Sequence, residues 1–262
     1  MPAVTSRART LAACAVPVAA LLAAAVFAPL PFSLAQPGLT ADVLGSKKGE
    51  PVITVSGAET RKTSGELRMT TIAATDPAAD IGLDDVIDGW FRTDRAVMPR
   101  DAVYPVGDNP AEIERHNAAE MRKSQSTAVS AALGSLGRSP DGVEVELRLD
   151  DVGGPSAGLM FALGIVDKLA GDGSGGDLTG GRTIAGTGTI TAGGEVGPVG
   201  GVPLKTQAAK RDGASVFLVP AAECADARTE LPKGLRLIPV KTLDGAVAAL
   251  KALEHGGEVP AC

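Results

Sequence analysis

Short strand-like runs alternate with helix-like segments through the second half of the chain, and the turns between them are rich in glycine. Such alternation predicts a mixed α/β fold (α+β mixed), because helices and strands that follow one another in turn pack as layers around one core. A chain of 262 residues can bury a substantial core. The expected strands are 143–149, 182–190, 215–220 and 235–240, and the expected helices are 156–169, 202–212 and 243–253.

The first half of the chain carries weaker signals. Two strand-like runs within 51–75 are joined by a Thr-Ser-Gly turn, which predicts a β-hairpin at the start of the folded domain. Residues 83–91 and 110–136 have helical character, and Pro110 lies where proline is favoured in a helix, near the first turn.

An uncharged run covers residues 11–35 and is long enough to cross a bilayer. Arg7 and Arg9 are the only charged residues before Asp42, so the positive-inside rule places residues 1–10 in the cytoplasm. We therefore expect a single-pass anchor over 11–35 that contacts membrane lipid and leaves the rest of the chain outside the cytoplasm. A signal peptide cleaved after Ala35 is the alternative.

The remaining organisation follows from composition. Residues 36–50 are rich in glycine, proline, lysine and serine and predict a tether. The folded domain is expected over 51–255, with a short tail over 256–262. Cys224 and Cys262 both lie on the predicted outer side, where they can form a disulfide or remain as two free thiols.

Charge and motif content argue against several classes of function. The net charge of −6 offers no electrostatic basis for binding nucleic acid. The glycine-rich run 171–181 lacks the Gly-Lys pair of a phosphate-binding loop, and no such pair occurs anywhere in the chain. We expect neither a nucleotide cofactor nor a metal.

The pentapeptide Gly-Pro-Ser-Ala-Gly at 154–158 places Ser156 between small residues, just before a helix. The pattern fits the G-x-S-x-G turn of serine hydrolases, in which the hydroxyl needs a neighbouring base. His116 lies on a charged part of a predicted helix, and His255 lies in the polar stretch Glu-His-Gly-Gly-Glu. An esterase that uses His255 as its base is one hypothesis.

Lys205 is the second candidate base. Two glycines and Pro203 open the predicted helix after Gly201, so that Lys205 falls in its first turn. The positive end of a helix disfavours a cation, and burial adds to this effect, so the lysine pKa would fall and leave some neutral amine to accept a proton. An exposed lysine without a catalytic role is the alternative.

Two blocks, GGPSAGLMFALGIVDKL and AGTGTITAGGEVGPVGGVPLKTQAAKRDGASVFLVP, resemble the proteolytic domain of the Lon family of serine-lysine peptidases. The resemblance extends from about residue 63 to residue 253. It implies a Lon-type proteolytic fold with Ser156 as nucleophile, Lys205 as general base and Thr187 near this dyad. The small residues around the serine, Gly154, Pro155 and Ala157, would let backbone amides face the oxyanion.

The chain is most similar in outline to membrane-anchored bacterial Lon-like proteases, with two departures. Those proteins usually carry a PDZ domain before the strand that leads to the serine, whereas only 137–142 separates helix from strand here. Many Lon proteases also have an acidic residue directly before the Gly-Pro-Ser, where this chain has Gly153. The substrate-presenting role of the PDZ domain is therefore expected to be absent or supplied by a separate partner. The expected partners also include further copies of the chain in a homo-oligomer.

The resemblance implies an ATP-independent, membrane-anchored serine endopeptidase that cleaves flexible or unfolded proteins and peptides outside the membrane. An inactive Lon-fold scaffold that binds peptides is the alternative from a different class of function.

Overall fold

The structure is a computed structural model that describes residues 3–106, 109–149 and 155–262. The chain forms two compact units. The first combines the chain up to Ala35 with Ala74–Pro105, and the second combines Gln36–Ala73 with Val106–Cys262. The domain predicted over 51–255 differs from this division, because residues 74–105 belong to the first unit.

The α-helices of the described residues are α1 (Ala3–Phe27), α2 (Leu83–Phe91), α3 (Arg100–Val103), α4 (Pro110–Ser135), α5 (Gly158–Leu169), α6 (Val202–Arg211), α7 (Cys224–Arg228) and α8 (Leu243–His255). Their strands are β1 (Phe32–Asp42), β2 (Ser46–Lys47), β3 (Glu50–Pro51), β4 (Ile53–Ser56), β5 (Glu66–Ala74), β6 (Ala96–Pro99), β7 (Glu144–Leu147), β8 (Thr183–Gly186), β9 (Thr189–Ile190), β10 (Val196–Gly197), β11 (Val216–Pro220) and β12 (Arg236–Val240).

In the first unit, the end of the apolar run is a strand. Helix α1 ends at Phe27, before Pro29 and Pro31, which cannot continue a helix. The first residues of β1 then pair antiparallel with β6, and Ala35 is fully buried. Among the described residues, no helix is both long and apolar enough to cross a membrane. The structure therefore does not support the transmembrane helix predicted over 11–35.

In the second unit, the predicted tether over 36–50 is part of the folded core. The later residues of β1 lie beside β5, and the backbone amide of Val43 donates to the carbonyl of Leu67 at 2.8 Å. Val43 is fully buried and Leu44 nearly so. Glycine and proline in this stretch shape strands and turns, so their abundance was a misleading sign of flexibility.

The sheet of the second unit has the order β12-β11-β8-β5-β1, and the first four of these strands run parallel. The mixed α/β prediction is confirmed. Helices connect the parallel strands, as parallel pairing requires. Helix α5 lies in the core, with Leu159, Phe161 and Leu163 fully buried as expected.

The predicted hairpin over 51–75 is wrong. Strand β4 pairs antiparallel with β7, whereas β5 pairs in parallel with β8. Between β4 and β5, the Arg61 guanidinium donates to the carbonyls of Gly175 and Gly176, and the Ser64 hydroxyl donates to Asp177. Because of these contacts, the segment between β4 and β5 does not form a tight turn. Each of the two strands pairs instead with a strand from a distant part of the chain.

Candidate active site

Ser156 lies in a 3₁₀ turn, Pro155–Ala157, that leads directly into α5. Its carbonyl oxygen accepts from the amide of Gly188 at 2.9 Å and from the hydroxyl of Thr187 at 3.3 Å. The amide of Leu159 donates back to the carbonyl of Gly188 at 3.1 Å. Three hydrogen bonds thus fix the serine turn against the connection between β8 and β9.

Gly158, the last residue of the pentapeptide, is needed for close packing. A Cβ atom at Gly158 would lie 2.9 Å from Ile190 Cγ2 and 3.1 Å from Ser124 Oγ. Ser124 also donates to the carbonyl of Pro155 at 3.1 Å. Gly158 therefore lets α5 begin against both α4 and β9. Ala157 is fully buried, and the predicted supporting residue Gly154 lies outside the described residues.

Lys205 is buried in the first part of α6. The helix starts after Gly201, which has the left-handed backbone conformation (φ 69°) that glycine adopts without strain. The Lys205 side chain is only 3 % exposed, and its ammonium donates to Thr187 Oγ1 at 3.1 Å. This burial contradicts the alternative of an exposed lysine.

Thr187 joins the two predicted catalytic residues. It is fully buried where β8 gives way to β9, and its own amide donates to the carbonyl of Leu218. Its hydroxyl accepts from Lys205 and donates to the Ser156 carbonyl. Within the described residues no hydrogen bond joins the Lys205 amine directly to the Ser156 hydroxyl. Catalytic contacts often shorten only when substrate binds.

Burial lowers the pKa of Lys205 from its ordinary 10.5 to about 8, and the negative charge of Glu223 opposes part of this effect. Near pH 8, about half of the lysine side chains would then be neutral amines. The arrangement can supply a proton acceptor at a pH where an exposed lysine would be fully charged.

Glu223 belongs to this site, and the sequence analysis missed it. Its Oε1 accepts from the amide of Val199 at 3.0 Å, and its Oε2 is buried without a hydrogen-bond partner among the described residues. Burial raises the pKa of Glu223, and the charge of Lys205 opposes the rise. A glutamate 18 positions along the chain, outside the recognised motifs, carries no signal in the sequence that would connect it with Lys205.

The two histidines have other surroundings. His255 Nε2 lies 3.2 Å from Asp172 Oδ2, and the histidine side chain is 58 % exposed. His116 is half-buried on α4. In the part of the chain that the structure describes, neither histidine is hydrogen-bonded to Ser156.

Cys224 and Cys262 are joined in a disulfide, with their Cα atoms 5.3 Å apart. Cys224 begins α7, directly after Glu223, and the Arg228 guanidinium donates to the carbonyl of Cys262. Both cysteines pack against the apolar cluster that includes Val202 of α6. The C-terminal end is therefore attached to the same cluster as the helix that carries Lys205.

Residues 151–252 match the family model of the Lon protease (S16) C-terminal proteolytic domain. The matched region contains Ser156, Thr187 and Lys205. The chain is 35 % identical over 108 residues to Lon protease 1 of Myxococcus xanthus, covering 40 % of this chain and 12 % of that protein. It is 31 % identical over 143 residues to Lon protease 2 of Bacillus subtilis, covering 52 % and 24 %. The chain thus spans a quarter or less of these Lon proteases, and the predicted resemblance is confirmed.

The burial of Lys205 is expected to cost stability, because a charged lysine is unfavourable in the interior. Because the pKa of Lys205 is about 8 in the folded state and 10.5 ordinarily, the unfolded chain binds more protons between these values. Stability therefore rises with pH across that window, and the cost is greatest below it. The effect of Lys205→Met on the free energy of unfolding should therefore be more stabilising at pH 7 than at pH 9.5, by about 2 kcal/mol.

Urea unfolding at the two pH values measures this difference. Lys210→Met, on an exposed position of the same helix, is the matched control and should change stability little at either pH. Equal effects of Lys205→Met on stability at the two pH values would contradict the prediction.

Proposed function

We propose that the chain is a serine endopeptidase that acts on proteins or peptides, with Ser156 as nucleophile and Lys205 as general base. The observation that carries the proposal is the buried Lys205 amine, hydrogen-bonded through Thr187 to the turn that holds Ser156. Relatives named Lon protease support the same activity. Among the described residues His255 has Asp172 as its hydrogen-bond partner and makes no hydrogen bond to Ser156, which weakens the esterase hypothesis.

In the proposed mechanism, neutral Lys205 takes the proton of the Ser156 hydroxyl as its oxygen attacks the peptide carbonyl. Backbone amides of the turn that precedes α5 are at the positive end of a helix, where they can stabilise the oxyanion. The Lys205 ammonium then gives its proton to the departing amine. The neutral Lys205 amine then takes a proton from water, which hydrolyses the acyl-enzyme. Thr187 holds the lysine in place throughout.

Two features of the chain, its glycine-rich loop and its disulfide, suggest the conditions under which the enzyme acts. The glycine-rich loop contains the carboxylates of Asp172 and Asp177, which accept hydrogen bonds within the loop and its neighbours and would repel phosphate. We therefore expect cleavage without ATP, on substrates that are flexible or already unfolded. The Cys224–Cys262 disulfide supports a location outside the cytoplasm, since disulfides persist in oxidising compartments.

Labelling with a fluorophosphonate tests the proposal. The probe should attach to Ser156, as read from the peptide masses, and the labelling rate should rise with pH to a plateau with a midpoint near 8, the pKa of Lys205. Ser156→Ala should abolish the label. Labelling of another residue, or none at any pH, would favour the peptide-binding scaffold. Labelling of Ser156 that is lost in His255→Ala and kept in Lys205→Arg would favour the esterase.

A further inference from the structure

We propose that Glu223 is a positioning residue for Lys205: its carboxylate fixes the loop that leads into α6 and supplies the negative charge that stabilises the lysine ammonium. The inference rests on the proposed function of Lys205 as general base. Glu223 acts through Lys205 and is not expected to touch the substrate.

The first support is the hydrogen bond from the Val199 amide to Glu223 Oε1, at 3.0 Å. Val199 lies between β10 and Gly201, the residue at which α6 begins. Because Lys205 follows within the first turns of this helix, the position of the loop determines where the lysine side chain begins. The carboxylate thus contributes to the placement of the base.

The second support is the other carboxylate oxygen. Glu223 Oε2 is buried without a hydrogen-bond partner among the described residues. A buried carboxylate oxygen without a donor is unfavourable unless a positive charge compensates for it. Lys205 is the positively charged group that acts on Glu223, and Glu223 is the charged group that acts on Lys205.

The negative charge of Glu223 is expected to assist the proton transfer to Lys205 during catalysis. When Lys205 takes the proton of Ser156, an ammonium forms at a position that is only 3 % exposed. A nearby carboxylate lowers the free energy of that ammonium, as the third member of a catalytic triad does for its protonated base. Without the charge of Glu223, proton transfer to the buried amine would be less favourable.

The elements around Glu223 hold it in place. Cys224, the next residue, is bonded to Cys262, and α7 packs against α6 and β12. On α7, Asp226 raises the pKa of Glu223, while Arg228 is hydrogen-bonded to the Cys262 carbonyl. The buried strand β11 has no charged side chain, whereas α6 also carries Lys210 and Arg211, and β12 carries Arg236.

Glu223→Gln separates the charge of this residue from its hydrogen bond, because glutamine retains an oxygen that can accept from Val199. We expect the acid limb of the pH profile of kcat/KM, measured on an unfolded peptide substrate, to shift to lower pH by about half a unit or more. The plateau value should fall. Asp226→Asn removes an exposed negative charge on α7, the helix that follows Glu223, and should leave the limb in place. An unchanged limb in Glu223→Gln would overturn the inference.

A second measurement does not depend on peptidase activity. The ¹³Cε signal of Lys205, assigned by its loss in Lys205→Arg, reports the titration of the amine directly. Its midpoint should lie lower in Glu223→Gln than in the wild type, and Glu223→Asp should restore most of the difference. A lower midpoint in a protein without peptidase activity would support the inference and contradict the proposed function. An unchanged midpoint in a protein with peptidase activity would contradict the inference and support the proposed function.

Discussion

Lys205→Arg is expected to lower kcat/KM for peptide cleavage by a factor of about 10⁴ or more. Arginine keeps the positive charge of the side chain, but its guanidinium does not lose a proton at any accessible pH and so cannot act as base. The assay is cleavage of an unfolded peptide at pH 8 to 9, where the amine of the wild-type lysine is largely neutral, given its pKa of about 8. Circular dichroism would verify that the variant is folded.

Four companion variants make this experiment specific. Lys210→Arg, on the same helix, should retain wild-type activity, since Lys210 is exposed and donates to the carbonyl of Gly234. Ser156→Ala should be as inactive as Lys205→Arg, and the double variant no worse, because the two residues act as one unit. His255→Ala should change activity little. Loss of activity in His255→Ala, with activity kept in Lys205→Arg, would favour the histidine-dependent esterase.

Cys262→Ser should lower the free energy of unfolding by about 4 kcal/mol under non-reducing conditions. The disulfide joins residues 38 positions apart, and such a cross-link restricts the unfolded chain far more than the folded one. Urea unfolding with and without reductant measures the effect, which should disappear when the wild-type disulfide is reduced.

Cys14→Ser is the control for this prediction, because Cys14 is a free and exposed cysteine. That variant should unfold at the same urea concentration as the wild type. Equal stability of Cys262→Ser and the wild type without reductant would show that the disulfide contributes nothing to folding.

Local pattern was enough to predict most of the elements of the second unit. The helix expected over 243–253 is observed as Leu243–His255, and the strand expected over 235–240 as Arg236–Val240. Short apolar runs bounded by glycine or proline have few other ways to satisfy their backbone and bury their side chains. Strand partners were harder to predict, because the pairing of β4 with β7 joins residues about 90 positions apart.

The N-terminal region shows where local pattern fails. An apolar, uncharged run is compatible with a membrane helix and equally with a helix followed by a buried strand. Pro29 and Pro31, together with the pairing of Phe32–Ala35 with β6, decide in favour of the second. Likewise, Val43 and Leu44 are buried in a segment whose composition predicted a tether.

The sequence by itself supplied the residues of the candidate site: a serine in a small-residue turn, a lysine at the start of a helix, and a threonine between them in the chain. Tertiary structure decided the environment of these groups. It buried Lys205 to 3 % exposure, placed Thr187 between the lysine and the serine turn, and brought in Glu223. Burial and long-range charge depend on which elements pack together, and that packing determines how basic the lysine is.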